Sequence, residues 1–248
     1  VRVVPLGRPF EWLALGAKDF ARALGPSLLH GMIVALAGLA ILAVGLRIWY
    51  VLPGAVSGFV LVAPILATGL YELSRRMLRG ERPRLVHAIE AWRRGTRPLV
   101  WMGLGLAIAG TAWVLVSSVL VALFVKAPIT GLTDFLRHVV LSEGSNLFWL
   151  WIALGGLGAS FVFAATAVSV PLMLDRDIDT LSAVLTSVRA VGENPVAMAL
   201  WAAIIMALTV LAMATLMLGF ALVVPIVGHA TWHAYRDLVD ADGLPARY

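Results

Sequence analysis

The chain alternates long apolar runs with short segments that hold nearly all of its charge. Residues 196–232 contain no Lys, Arg, Asp or Glu over 37 positions. As one helix this run would be about 55 Å long at 1.5 Å per residue, against a hydrocarbon core of about 30 Å. It therefore reads as two spans joined by a turn at 215–219. Four further spans are expected at about 26–49, 54–72, 98–125 and 147–174.

The charged segments have a different rhythm. Residues 8–24 place Phe10, Leu13, Phe20 and Leu24 within reach of one face, with Arg8, Lys18, Asp19 and Arg22 elsewhere. Leu85, Ile89 and Trp92 recur at i, i+4, i+7, and residues 178–191 form a third segment of this kind. Such patterns predict amphipathic helices lying in the membrane interface. Each is followed by a proline break: Gly25-Pro26, Arg97-Pro98 and Asn194-Pro195. In the loop 126–146, Phe135, Val139 and Val140 suggest a short surface helix.

Self-similarity organises these elements. GFVLVAPI, beginning at Gly58, returns 161 residues later as GFALVVPI, beginning at Gly219, with six of eight positions identical. A weaker copy, Val168-Ser169-Val170-Pro171-Leu172, lies between them. The interfacial segments also align weakly at an offset of 96, pairing Leu85, Ile89, Ala91 and Arg93 with Leu181, Leu185, Ser187 and Arg189. The expected fold is an all-α, polytopic membrane protein forming a single membrane domain over 1–248. Six transmembrane helices make three pseudo-repeated hairpins, in units of about 8–74, 83–177 and 178–239, each preceded by a cytoplasmic interfacial helix. Pro64, Pro171 and Pro225 stand at matching places, where a missing N–H can kink a helix. They read as structural kinks, as do Gly58 and Gly219 at the start of the repeated strings.

Composition agrees. Hydrophobic residues make up 61% and charged residues 13%, about half the charge of an average soluble domain. The runs are too long and unbroken for an outer-membrane barrel. The absence of cysteine excludes disulfides, iron–sulfur ligation, thiolate zinc sites and covalent c-type haem. A net charge of +5 would point to nucleic acid in a soluble chain, but here no nucleic-acid partner is expected. On the expected topology, 16 of the 19 Lys and Arg fall on one side. Positive-inside bias then puts both termini and all three amphipathic helices in the cytoplasm. The opening VRVVPLGRPFEW does not read as a secretory signal, because no apolar core follows until after Pro26.

Candidate chemistry is sparse. His229 and His233, at i and i+4, face one way on a helix and could ligate a metal or haem with His30 at similar depth. The commoner case is a set of structural histidines hydrogen-bonded at the interface. His87 and His138 sit on surface segments. Glu72, Asp175 and Asp177 end spans, where carboxylates can mark ion paths, but Arg75, Arg76 and Arg176 beside them favour local ion pairing. No phosphate loop, HExxH or GxSxG motif is present. Gly155 to Ser160, GGLGAS, would allow close helix packing.

Several segments, RPFEWLALGAKDF, APILATGLYELSRRMLRGERP, VPLMLDRDIDTLSAVLTSVRAVGENPVAMALWAA and PIVGHATWHAYRDLV, resemble an uncharacterised family of predicted bacterial integral membrane proteins, domain of unknown function 2189. Some members are labelled cytochrome c oxidase subunit I. A catalytic oxidase subunit needs a dozen spans and about six histidine ligands, so what the resemblance implies is a bacterial inner-membrane protein of no established activity, for which an accessory or assembly role remains. The expectation is a non-catalytic subunit, without cofactor, whose partners are the lipid bilayer and the subunits of a larger respiratory or photosynthetic electron-transfer complex. The alternative is a small transporter or channel with pseudo-threefold repeats.

Overall fold

The computed structural model describes residues 1–47, 56, 59, 65–93, 97–126, 131–141 and 146–247. Regular structure among them is helical, apart from one isolated bridge between Arg176 and Ala246. In chain order the helices are α1 (Arg8–Arg22), α2 (Leu24–Arg47), α3 (Thr68–Leu78), α4 (Leu85–Arg93), α5 (Arg97–Phe124) and α6 (Leu132–Phe135). A π-type turn (Leu136–Val140) precedes α7 (Leu147–Thr166), α8 (Ser169–Asp175), α9 (Thr180–Glu193), α10 (Pro195–Ala214) and α11 (Phe220–Leu238).

Four stretches among the described residues are long and apolar enough to cross a membrane: Leu24–Val44, Arg97–Phe124, Leu147–Asp175 and Pro195–Ala214. They match four of the expected spans. About half of the second expected span, including Gly58 and Pro64, lies outside the described residues. The turn between the last two helices falls at 215–219, where Leu216 and Met217 adopt positive φ. Gly219 caps the N-terminus of α11. That helix is apolar at first and then becomes polar, and it is not among the four.

The three expected interfacial segments are helical, and each has a distinct buried face. In α1 the buried residues are Pro9, Trp12, Gly16 and Asp19, while Phe10 is 59% and the adjoining Leu24 52% exposed. In α4, Ala88 and Ala91 are buried and Ile89 is exposed; the Trp92 side chain is outside the described set. In α9, Ala183, Ser187 and Ala190 are buried and Leu181, Leu185 and Val188 point outward. In α4 and α9 small residues face the protein and large apolar ones face out, as suits a helix dipping one side into the acyl boundary, while α1 turns Phe10 out and buries Trp12. The pairs related by the 96-residue offset behave alike: Ala91 and Ser187 are buried, Ile89 and Leu185 exposed.

The helix breaks also have local causes. α1 ends at Ala23 rather than at Gly25-Pro26. Pro26 instead lies in the first turn of α2, where a missing N–H costs nothing. Before Pro171 the helix stops at Thr166 and resumes at Ser169. The Val168 N–H left by this break donates to Ser187 Oγ on α9 at 3.1 Å. Pro225 sits inside the continuous α11. It cannot donate to the carbonyl of Ala221, four residues back, and Gly31 of α2 stands against that carbonyl. A Cβ on Gly16 would come within 2.5 Å of the Ile226 carbonyl. Glycine at these two positions lets α1 and α2 lie directly on the backbone of α11.

One side of the molecule is sewn together. Asn194, between α9 and α10, accepts from the Val4 N–H at 2.8 Å and donates to the Arg2 carbonyl at 3.0 Å. The Arg2 N–H reaches the Leu238 carbonyl at 2.7 Å, and the Asp177 N–H reaches Pro245 at 3.0 Å. The N-terminal segment, the end of α8, the α9–α10 junction and the C-terminal segment therefore share one side. Around them pack Trp12, Leu70, Leu73, Leu172, Met173, Trp201, Trp232 and Tyr235.

Candidate functional site

The polar residues of this layer are built from α1, α2, α3 and α11. Asp19 follows Trp12 and Gly16 along the buried stripe of α1, and so its carboxylate enters the protein. Ser74 Oγ donates to Asp19 Oδ2 at 2.8 Å, and His233 Nε2 lies 2.8 Å from the same oxygen. An ionised carboxylate only accepts, so the His233 proton on this bond is on Nε2. Burial works to raise the Asp19 carboxyl, but the His233 and Ser74 hydrogen bonds outweigh it and hold the group below its usual range.

The network continues into α2. His229 Nδ1 lies 2.8 Å from Ser74 Oγ and its Nε2 2.9 Å from Ser27 Oγ. The single hydroxyl proton of Ser74 is given to Asp19, which makes His229 Nδ1–H the donor to Ser74. Neutral imidazole then accepts the Ser27 proton at Nε2. The chain Ser27–His229–Ser74–Asp19–His233 satisfies every side chain in it. Ser27, Ser74 and His229 are fully buried, so no substrate carbonyl reaches Ser27 Oγ in this arrangement.

Of the candidate histidines, His229 and His233 thus meet separate hydroxyl and carboxylate partners. His30 is buried with its Cε1 close to Gly69. No group of three His, Asp or Glu among the described residues is placed to hold a metal. His87 Nδ1 accepts from the Arg84 N–H at 3.2 Å. Sequence reasoning passed over Asp19, Ser27 and Ser74. The available signal was Trp12, Gly16 and Asp19 at i, i+4, i+7, a stripe of one aromatic, one small and one charged residue.

Two ion-pair clusters flank the network, as the neighbouring arginines led us to expect. Glu72 accepts from Arg75 Nε and Arg76 Nε, each at 2.7 Å, and Arg76 also reaches Glu81 at 2.8 Å. Asp175 accepts from Tyr235 Oη at 2.8 Å and pairs with Arg176 at 3.2 Å. Arg8 Nε and Trp12 Nε1 both donate to Asp237, at 2.6 and 2.9 Å.

A cavity of about 190 Å³ lies beyond this layer, among α2, α3, α7, α10 and α11. Its wall is apolar, with Tyr71, Thr166, Thr209 and Thr231 as the polar members. Phe59 and Phe220, 161 residues apart, both line it and meet edge to face with centroids 5.8 Å apart.

Helices of this length and composition, with large apolar side chains turned outward, define an integral membrane protein. The chain belongs to the family described as predicted integral membrane protein DUF2189, whose model matches residues 51–175, half of the chain. That match takes in APILATGLYELSRRMLRGERP and ends within PLMLDRD; the resembling segments RPFEWLALGAKDF and PIVGHATWHAYRDLV lie outside it. Neither the curated proteins nor the solved structures contain a match.

Proposed function

We propose that the protein is a non-enzymatic accessory or assembly subunit of a larger bioenergetic complex, held through its membrane helices. The observation that carries this reading is α5. Its 28 residues contact little of their own chain, and Trp101, Ile108, Leu115 and Leu123 all point outward. Lipid can cover large apolar side chains, but the glycines among them need another reason. A Cβ on Gly103 or Gly105 of α5, or on Gly156 or Gly158 of α7, would meet nothing within 4 Å. Each glycine costs its helix roughly 1 kcal/mol relative to alanine, a cost offset when a neighbouring membrane helix approaches closely. The internally satisfied Ser–His–Asp chain supports a structural role for the polar residues.

The reading includes six spans in three pseudo-repeated hairpins, an inner-membrane location and cytoplasmic termini. The gathered charge supports that orientation through the positive-inside rule. Because the chain has no cysteine, single-cysteine labelling tests it directly. Gly243→Cys should label only after the inner membrane is opened, and Gly131→Cys before. Purification in mild detergent tests the main proposal: stoichiometric partner subunits should accompany the chain, and a chain that stays alone sinks it.

One observation favours the transporter alternative, since segments beside Pro171 and Pro225 line the same cavity. Liposome flux that is unaffected by Pro225→Ala and His229→Ala would dispose of that alternative. Ligation by His30, His229 and His233 is tested by an optical spectrum and metal analysis of the purified protein.

A further inference from the structure

The repeated string and the cavity belong together. Positions related by the 161-residue offset line it in pairs: Phe59 with Phe220, Leu66 with Val227, and Ala67 with Gly228. Thr166 and Ala167, just before the helix break ahead of Pro171, complete another wall. Residues from both copies of the duplicated motif therefore line one cavity.

We propose that this cavity binds a small uncharged lipophilic molecule carrying a carbonyl or ether oxygen, which the Tyr71 hydroxyl holds. Size argues first. A dry apolar cavity of about 150 Å³ accepts benzene, so 190 Å³ suits a single ring or short branched group with one substituent. Charge argues next, because among the described residues no carboxylate, amine, guanidinium or imidazole lines the wall.

The hydrogen-bond inventory gives the orientation. Tyr71 is 3% exposed, lines the cavity, and its hydroxyl has no hydrogen-bond partner among the described residues. A buried hydroxyl without a partner costs about 1–3 kcal/mol. Thr166 and Thr231 already donate to the Val162 and Val227 carbonyls, at 2.7 and 2.8 Å. The Tyr71 phenol and the Thr209 hydroxyl are therefore the donors left for a ligand; the phenol is the more deeply buried of the two, and the ligand's polar atom is an acceptor. Two sources have this chemistry: the ester end of a bilayer lipid, and a free ketone, ester or ether dissolved in the membrane. This inference does not rest on the accessory role.

The test is fluorine NMR of the purified full chain with two probes of equal size, 4-fluoroacetophenone and 4-fluoroethylbenzene. Spectra are recorded in dodecyl maltoside and in ester-lipid nanodiscs. The ketone should give a protein-bound resonance, weakened roughly 3- to 10-fold by Tyr71→Phe, while the hydrocarbon binds more weakly and ignores that substitution. A bound ketone in both environments assigns a free lipophile; one seen in detergent alone assigns the lipid ester, which competes in the nanodisc. Absence of a bound resonance in both, or ketone binding indifferent to Tyr71→Phe, overturns the proposal.

Discussion

Two helix pairs in this protein use the same residue types to opposite ends. Between α2 and α11, Gly31 faces the Ala221 carbonyl and the side of Pro225, and Gly16 of α1 lies on the next turn of the same helix. Between α5 and α7, one glycine is used in this way: Gly155 receives the Trp113 ring, which also packs against Trp151 at 5.8 Å. Trp151 Nε1 donates to Ser117 Oγ at 2.9 Å. Gly110 of α5 is also buried, whereas Gly103, Gly105, Gly156 and Gly158 look outward into open space. The first pair is finished within the chain, and the second reads as a surface awaiting a neighbour. Glycine in a membrane helix therefore takes its meaning from what stands opposite it.

Substitution at Gly31 should break the finished pair most severely. Alanine there drives Cβ into a backbone carbonyl that cannot swing aside, and Gly31→Ala should cost at least about 3 kcal/mol. Equilibrium unfolding in mixed detergent micelles measures this, and an unchanged midpoint would show that the packing is wrong. Next comes Asp19→Asn, which removes the charged acceptor of two hydrogen bonds and should cost roughly 2 kcal/mol.

The same group sets a pH dependence. The folded carboxyl sits below its ordinary range, so its contribution is complete above the unfolded value of about 4. It is lost as pH falls through the lower folded value. Acid unfolding followed by circular dichroism should show a low-pH loss that Asp19→Asn flattens.

Smaller effects sharpen the contrast. Gly155→Ala meets only the far edge of the Trp113 ring, 2.9 Å away, and should cost about 1 kcal/mol or less as the ring gives way. Gly158→Ala should leave the isolated protein as stable or slightly more so, by up to about 1 kcal/mol. Under the accessory-subunit proposal the same change reduces recovery of partner subunits in a pull-down from native membranes.

Much of the framework was legible in the sequence because bilayer thickness fixes span length. The 37-residue uncharged run had to divide, and the repeat of Gly58 at Gly219 located the turn at 215–219. The ion pairs of Glu72 and Asp175 were legible because their arginines are sequence neighbours. The buried faces of the interfacial helices were not. Phe10, Ile89, Leu181 and Leu185 form the apolar stripes that would turn inward in water, and in a bilayer the same stripes turn outward. The amphipathic pattern thus located α1, α4 and α9, while the small residues buried beneath them, such as Ala88, Ala91 and Ala183, carry no hydrophobic pattern of their own. The Asp19–Ser74–His229 chain was hidden for a related reason, since its members come from three helices far apart in sequence. Only Asp19 among them interrupts a visible pattern.

The central claim, that interfacial helices bury their small and polar faces, is most directly tested on α9 in the cysteine-free background. Leu181→Cys and Ala183→Cys differ by two residues and little in helix propensity, and each thiol can be titrated with a small maleimide in proteoliposomes opened on both sides. The structure predicts rapid labelling at position 181 and protection at position 183 until the protein is unfolded. Protection at 181 with rapid labelling at 183 would contradict it.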